Sequence, residues 1–95
     1  MLFVALCLDK PDSVPLRLSI REAHLAFLAE NAAQVKLGGP FLDAAGEKPI
    51  GSMLIVEAAD AGGAQALLAR DPYALAGLFA SVEVKPWRRV VGAEL

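Results

Sequence analysis

Apolar positions change their period several times along this chain, and each change marks an element. Leu2-Phe3-Val4-Ala5-Leu6-Cys7-Leu8 is apolar throughout and of strand length, and Asp9-Lys10-Pro11-Asp12 ends it. A loop carrying Pro11 and Pro15 leads to a helix from about Leu16 to Asn31. There Leu16, Ile20, Ala23 and Phe27 recur at i, i+4, i+7 and i+11, which lays out one apolar helix face. Val35 to Leu42 reads as a second strand broken by Gly38-Gly39-Pro40; a proline cannot donate to a ladder, so this strand belongs at a sheet edge. Asp43 to Pro49 is turn material, and Ser52 to Glu57 reads as a third strand. Asp60 is placed to cap a second helix through about Arg70, which Asp71-Pro72 closes. A short turn from Tyr73 to Gly77 then precedes a last strand from Leu78 to about Val84, with an extension to Val90 left open.

The order βαββαβ predicts an α+β, ferredoxin-like fold: a four-stranded antiparallel sheet in the order 4-1-3-2, with two helices on one face. In that order the second strand lies at an edge, in agreement with Pro40. The central first strand is apolar at every position, whereas a strand with one wet face alternates. The expectation is therefore a homodimer through the sheet face, against the alternative of a monomer with a partly apolar open face.

Composition narrows the classes. Ninety-five residues are read as a single domain spanning 1–95. Nine basic residues against 11 acidic ones give a net charge of −2, and Lys85, Arg88 and Arg89 are the only basic cluster, so nucleic acid is not expected as a partner. Cys7 is the only cysteine and His24 the only histidine, which leaves no Cys-based or His-cluster metal site and no intrachain disulfide. The run Leu2 to Leu8 is far shorter than the roughly 20 apolar residues of a membrane span. It also lacks a signal peptide's basic start and cleavage site, so the expected compartment is the cytoplasm with no membrane partner. A hydrophobic fraction of 56%, even discounted for its alanine, again points to self-association.

Few residues are candidates for chemistry. His24 stands at the border of the apolar helix face, with Arg17 and Arg21 seven and three positions before it on the same flank. Such a group can hold an anion and move a proton; the alternative is a boundary histidine bonded to some carbonyl beside solvated arginines. Asp71, at the end of the second helix, opposes the helix dipole and calls for a partner such as His24 or an arginine, unless it is only a turn-forming Asp-Pro. Ser52 follows Gly51 and can offer a hydroxyl, but no nucleophile-elbow pattern surrounds it. Gly38, Gly39 and Gly51 create bulges or let a ligand approach the backbone. Cys7 reads as an inert buried thiol, while Tyr73 and Trp87 read as pocket-lining or as packing residues.

Together these motifs resemble a known family. Arg17-Leu18-Ser19-Ile20-Arg21-Glu22-Ala23-His24-Leu25 looks like the R-x-x-x-R-x-x-H-L signature of the YciI-like (YCII-related) proteins. So do Gly38-Gly39-Pro40, Gly51-Ser52, Asp71-Pro72-Tyr73 with Ala76-Gly77, and Val84-Lys85-Pro86-Trp87, in order over nearly the whole chain. The resemblance implies a dimeric α/β barrel, in which two such sheets pack face to face. It also implies His24 and Asp71 as a catalytic pair working without metal or organic cofactor. Relatives include a dehydrochlorinase of a chlorinated hydroxyquinol, and the superfamily contains muconolactone isomerases.

The expected function is thus general acid–base chemistry, of isomerase, lyase or dehalogenase type, on a small cyclic, anionic organic molecule. Arg17, Arg21, Ser52 and Gly39 are the expected substrate-binding residues. The alternative is a non-catalytic small-molecule-binding or accessory module using the same pocket, and a third reading makes the His24–Asp71 contact purely structural.

Overall fold

The computed structural model describes residues 1–94. Its elements are β1 (Leu2–Asp9), α1 (Val14–Glu30), β2 (Val35–Leu42), β3 (Pro49–Glu57), α2 (Ala61–Ala69), α3 (Pro72–Leu75) and β4 (Phe79–Trp87). The sheet runs β2-β3-β1-β4 with every pair antiparallel, which is the ferredoxin-like order. Pro40 lies on the edge strand β2 as its missing donor requires.

Alternate residues of the central strands face the helices. Phe3, Ala5 and Cys7 of β1 pair with Val56, Leu54 and Ser52 of β3, so the two rows project from the same face. With Phe27 of α1 and Ala64, Leu67 and Leu68 of α2 they form the core. Burial there pushes the Cys7 thiol up to about 12, with Asp71 adding to the effect, so the cysteine is the inert one expected. The opposite face is also apolar along β1: Leu2, Val4 and Leu6 are half-buried, and Leu8 is exposed, as are Leu37 of β2 and Trp87 of β4.

Local signals explain the helix ends. Pro15 falls in the first turn of α1, where a missing N–H costs nothing, and the helix begins at Val14 rather than Leu16. Asn31 closes it by donating from Nδ2 to the Phe27 carbonyl at 2.8 Å. Asp60 caps α2 as expected, its side chain accepting from the Gly63 amide at 2.8 Å.

Four expectations need correction. The buried side of α1 is not Leu16, Ile20, Ala23 and Phe27: Leu16 and Ala23 are exposed, while Arg17, His24 and Phe27 are buried. The helix is turned because both polar residues find partners beneath it. The Tyr73–Gly77 turn begins instead as the short helix α3, so Asp71 precedes a helix N-terminus rather than merely ending α2. The third strand starts three residues early, at Pro49, and Ser52 lies within it. Finally, β4 runs from Phe79 to Trp87, three residues past the expected end at Val84 and short of Val90, and stops where its pairing with Leu2 exhausts β1.

Gly51 answers a close approach of backbone. A Cβ there would lie 2.5 Å from the Cys7 carbonyl oxygen, an atom the sheet ladder holds in place. A Cβ at Gly39 would meet nothing within 4 Å. Gly51→Val is therefore expected to destabilise by about 1–3 kcal/mol, and Gly39→Ala to be neutral or stabilising by up to about 1 kcal/mol. Urea midpoints of the two variants, at unchanged slope, check this pair.

Candidate active site

The site forms where the end of β1 and the middle of β3 pass beneath α1, with α3 closing one side. The helix-facing row of β1 ends in Asp9, and that of β3 includes Ser52. Arg17, about one helical turn into α1, descends onto both. Its Nε donates to Asp9 Oδ2 at 2.8 Å, and its Nη2 donates to Asp9 Oδ1 at 3.3 Å and to Ser52 Oγ at 2.6 Å. The ion pair is nearly dry, with side chains 5% and 4% exposed. The guanidinium also lies 4.5 Å from the centre of the Tyr73 ring, within cation–π range.

Two turns further along α1, His24 meets Asp71. Its Nδ1 lies 2.9 Å from Asp71 Oδ1 and 3.0 Å from Oδ2, and both residues are buried. A carboxylate only accepts, so Nδ1 carries the proton and Nε2 is left as the basic nitrogen. The Tyr73 amide donates to Asp71 Oδ1 at 2.9 Å, which makes Asp71 the N-cap of α3. The imidazole stacks on the Tyr73 ring with centroids 4.0 Å apart and 18° between planes, and Phe79 meets the other aromatic edge-on at 6.1 Å. Burial raises the Tyr73 phenol above its ordinary range, with the Arg17 charge opposing the rise.

These side chains border a cavity of about 290 Å³. Its polar lining is Arg17, Arg21, His24, Ser52 and Tyr73, and its apolar lining includes Leu25, Leu28 and Leu54. A dry cavity of about 150 Å³ already admits benzene, so the space suits one substituted ring. Among the described residues no three His, Cys, Asp or Glu side chains converge as metal ligands.

The residues predicted from sequence fare differently. His24, Asp71, Ser52 and both arginines gather at one place, but the two arginines are unlike. Arg17 is buried with its charge met by Asp9, so it is not the free cation expected for a ligand. Arg21 is exposed, forms no ion pair among the described residues and lines the cavity. Gly39 lines the cavity through its main chain only, since its pairing with Met53 points its missing side chain to the other face. The glycine under steric demand on the helix side is Gly38, where a Cβ would collide with the Leu54 side chain. In the sequence Asp9 marks only a strand-ending turn, and no local spacing links it to Arg17. Tyr73 was among the pocket candidates, without its stacking partner.

Comparison with known proteins places these features in a family. The model of the YCII-related domain matches residues 1–88. Protein YciI of Escherichia coli is 37% identical over 97 aligned positions, covering 95% of this chain and 99% of that protein. An uncharacterized protein of Haemophilus influenzae is 35% identical with the same coverage. Among solved structures, the 5-chloro-2-hydroxyhydroquinone dehydrochlorinase of Burkholderia phenoliruptrix, in complex with 2,5-dihydroxybenzoquinone, is 35% identical with a TM-score of 0.88, covering 95% of this chain and 96% of that one. An antibiotic biosynthesis monooxygenase, 15% identical with a TM-score of 0.55 over 96% of this chain and all of that one, shares the fold.

The difference between the arginines is measurable. Arg17→Met leaves Asp9 as an uncompensated buried charge and is expected to cost about 3–5 kcal/mol. Arg21→Gln, a surface change, is expected to stay within about 0.5 kcal/mol of wild type. Denaturant unfolding of the two variants reads both numbers.

Proposed function

The chain belongs to the YCII-related family, and from that premise we propose that it is a small cofactor-independent enzyme performing general acid–base chemistry on a small cyclic, anionic organic substrate. The observation that carries this reading is the buried His24–Asp71 pair at the wall of a ring-sized cavity. His24 Nε2 takes a proton from the substrate and returns it, and Asp71 orients the ring and stabilises the imidazolium. Arg21 supplies the cation for the substrate's negative charge. The likeness to a dehydrochlorinase supports an elimination as the first reaction to test. In it a proton passes from the substrate to His24, the electron pair it leaves behind forms the new double bond, and chloride departs with the electrons of the broken C–Cl bond.

The second part of the proposal is a homodimer through the open sheet face. Leu2, Val4, Leu6 and Leu8 form a continuous apolar stripe there, bordered by Glu83 and Lys85 of β4. A second copy of the same stripe covers it in an isologous contact.

Proton–nitrogen NMR of His24 tests the pair directly, since the chain has no other histidine. The wild type is expected in one tautomer, protonated at Nδ1. Asp71→Asn, whose amide can donate to Nδ1, is expected to shift the population toward the Nε2-protonated form. An unchanged tautomer would mean that Asp71 does not orient the ring. Chloride release from 5-chloro-2-hydroxyhydroquinone is the matching activity assay, in which His24→Gln should lose about 10²–10⁴-fold. Full ligand binding with no turnover in the wild type would favour the binding-module reading.

For the dimer, Leu6→Glu places a charge in the middle of the apolar stripe. Sedimentation is expected to give twice the chain mass for the wild type and a monomer for the variant. A wild-type monomer would refute the interface.

A further inference from the structure

Among the donors that line the cavity, the Ser52 hydroxyl is one whose hydrogen has no acceptor among the described residues. Ser52 is 3% exposed and lines the cavity, and its Oγ receives the Arg17 Nη2 hydrogen at 2.6 Å. Arginine has no acceptor atoms, so the direction of that bond is fixed: Arg17 donates and Ser52 accepts. The serine hydrogen is therefore unused in this contact, and no described residue accepts it. A bond from a charged donor polarises the hydroxyl and strengthens the hydrogen bond it gives in turn. Asp9, by holding the guanidinium at two points, keeps Arg17 aimed at Ser52 rather than at a ligand.

We propose that Ser52 is a catalytic hydrogen-bond donor to an enolate or phenolate oxygen of the substrate, with Arg17 and Asp9 as the residues that position and polarise it. The assignment rests on the acid–base reading of His24 and names the ligand chemistry of the same cavity. When a C–H bond beside a carbonyl breaks, the proton goes to His24 Nε2. The bonding electrons form the enolate double bond, and the carbonyl pair moves onto oxygen. That oxygen is the acceptor the Ser52 hydrogen lacks, and a donor fixed in advance on a buried strand needs no reorganisation as the charge develops. The substrate class is thus a ring carrying a carbonyl or acidic hydroxyl next to an exchangeable proton. Arg17 does not neutralise the substrate; it acts through the serine.

The test uses 4-nitrophenol, at a pH where it is the phenolate, as a coloured probe of the donor. The wild type is expected to bind it with a shifted absorption band. Ser52→Ala should weaken binding by about tenfold or more and return the band to its free position. Ser52→Thr, which keeps the hydroxyl, should restore both. The His24 ring signals are expected to be the same in wild type and Ser52→Ala, which a general loosening of the site would not allow. Because Ser52→Ala strips Arg17 of an acceptor and could fail to fold, the wild type is also titrated with nitrobenzene, the same ring without the oxygen. Binding about tenfold weaker than the phenolate is expected. The assignment is overturned if Ser52→Ala keeps the wild-type band and binds within about twofold, if Ser52→Thr behaves as Ser52→Ala, if nitrobenzene binds as well as the phenolate, or if the wild type binds no phenolate. None of these outcomes depends on the His24 tautomer or on chloride release, so a failure of the donor and a failure of the acid–base pair are told apart.

Discussion

Burying the guanidinium of Arg17 is the constraint around which the rest of this site is arranged. An arginine cannot lie 4% exposed beneath a helix unless its charge is met and its hydrogens are taken up. Asp9 supplies the charge, Ser52 a second acceptor and the Tyr73 ring a face. Each of these partners comes from a different element: the end of β1, the middle of β3 and the start of α3. Satisfying one side chain thereby fixes how α1 lies on the sheet and where α3 packs against it.

The imidazole follows from that arrangement. Tyr73, which lies against the guanidinium, also stacks on His24, and Asp71, two residues before it, accepts the hydrogen bond from the imidazole Nδ1. Asp71 carries two duties with one carboxylate: it caps α3 through the Tyr73 amide and fixes His24 through Nδ1. The helix-dipole objection to an acid at the end of α2 disappears once α3 is recognised, because a carboxylate is favourable at the start of the next helix. The cap of α3 and the orientation of the imidazole thus depend on the same carboxylate. Hydrogen bonds among the groups of the cavity wall leave His24 Nε2, the Ser52 hydrogen, the Tyr73 hydroxyl and the exposed Arg21 without partners among the described residues.

Much of the architecture was legible along the chain. Strand and helix order, the edge position of the proline-bearing strand and the Asp60 cap depend on local pattern, and local pattern is what a sequence displays. The apolar character of both faces of β1 was equally plain. The buried face of α1 was misjudged because hydrophobicity was its only guide; Leu16 and Ala23 stay in solvent while Arg17 and His24 go under. A polar side chain is buried when partners await it, and those partners lie 8 and 47 residues away.

His24, Asp71, Ser52 and Arg21 were identifiable as candidates from type, rarity and motif. Their roles relative to one another were not. Which arginine is free and which is spent on an aspartate is decided by contacts between β1, β3 and α1, as is the direction in which the serine hydrogen is left over. By itself the sequence determined the elements, their order and the short inventory of groups able to move a proton or hold an anion, since these depend on residue identity and near neighbours. Only the tertiary structure decided the pairing of those groups, because hydrogen bonds and buried charges are satisfied across space, between segments whose separation along the chain carries no signal.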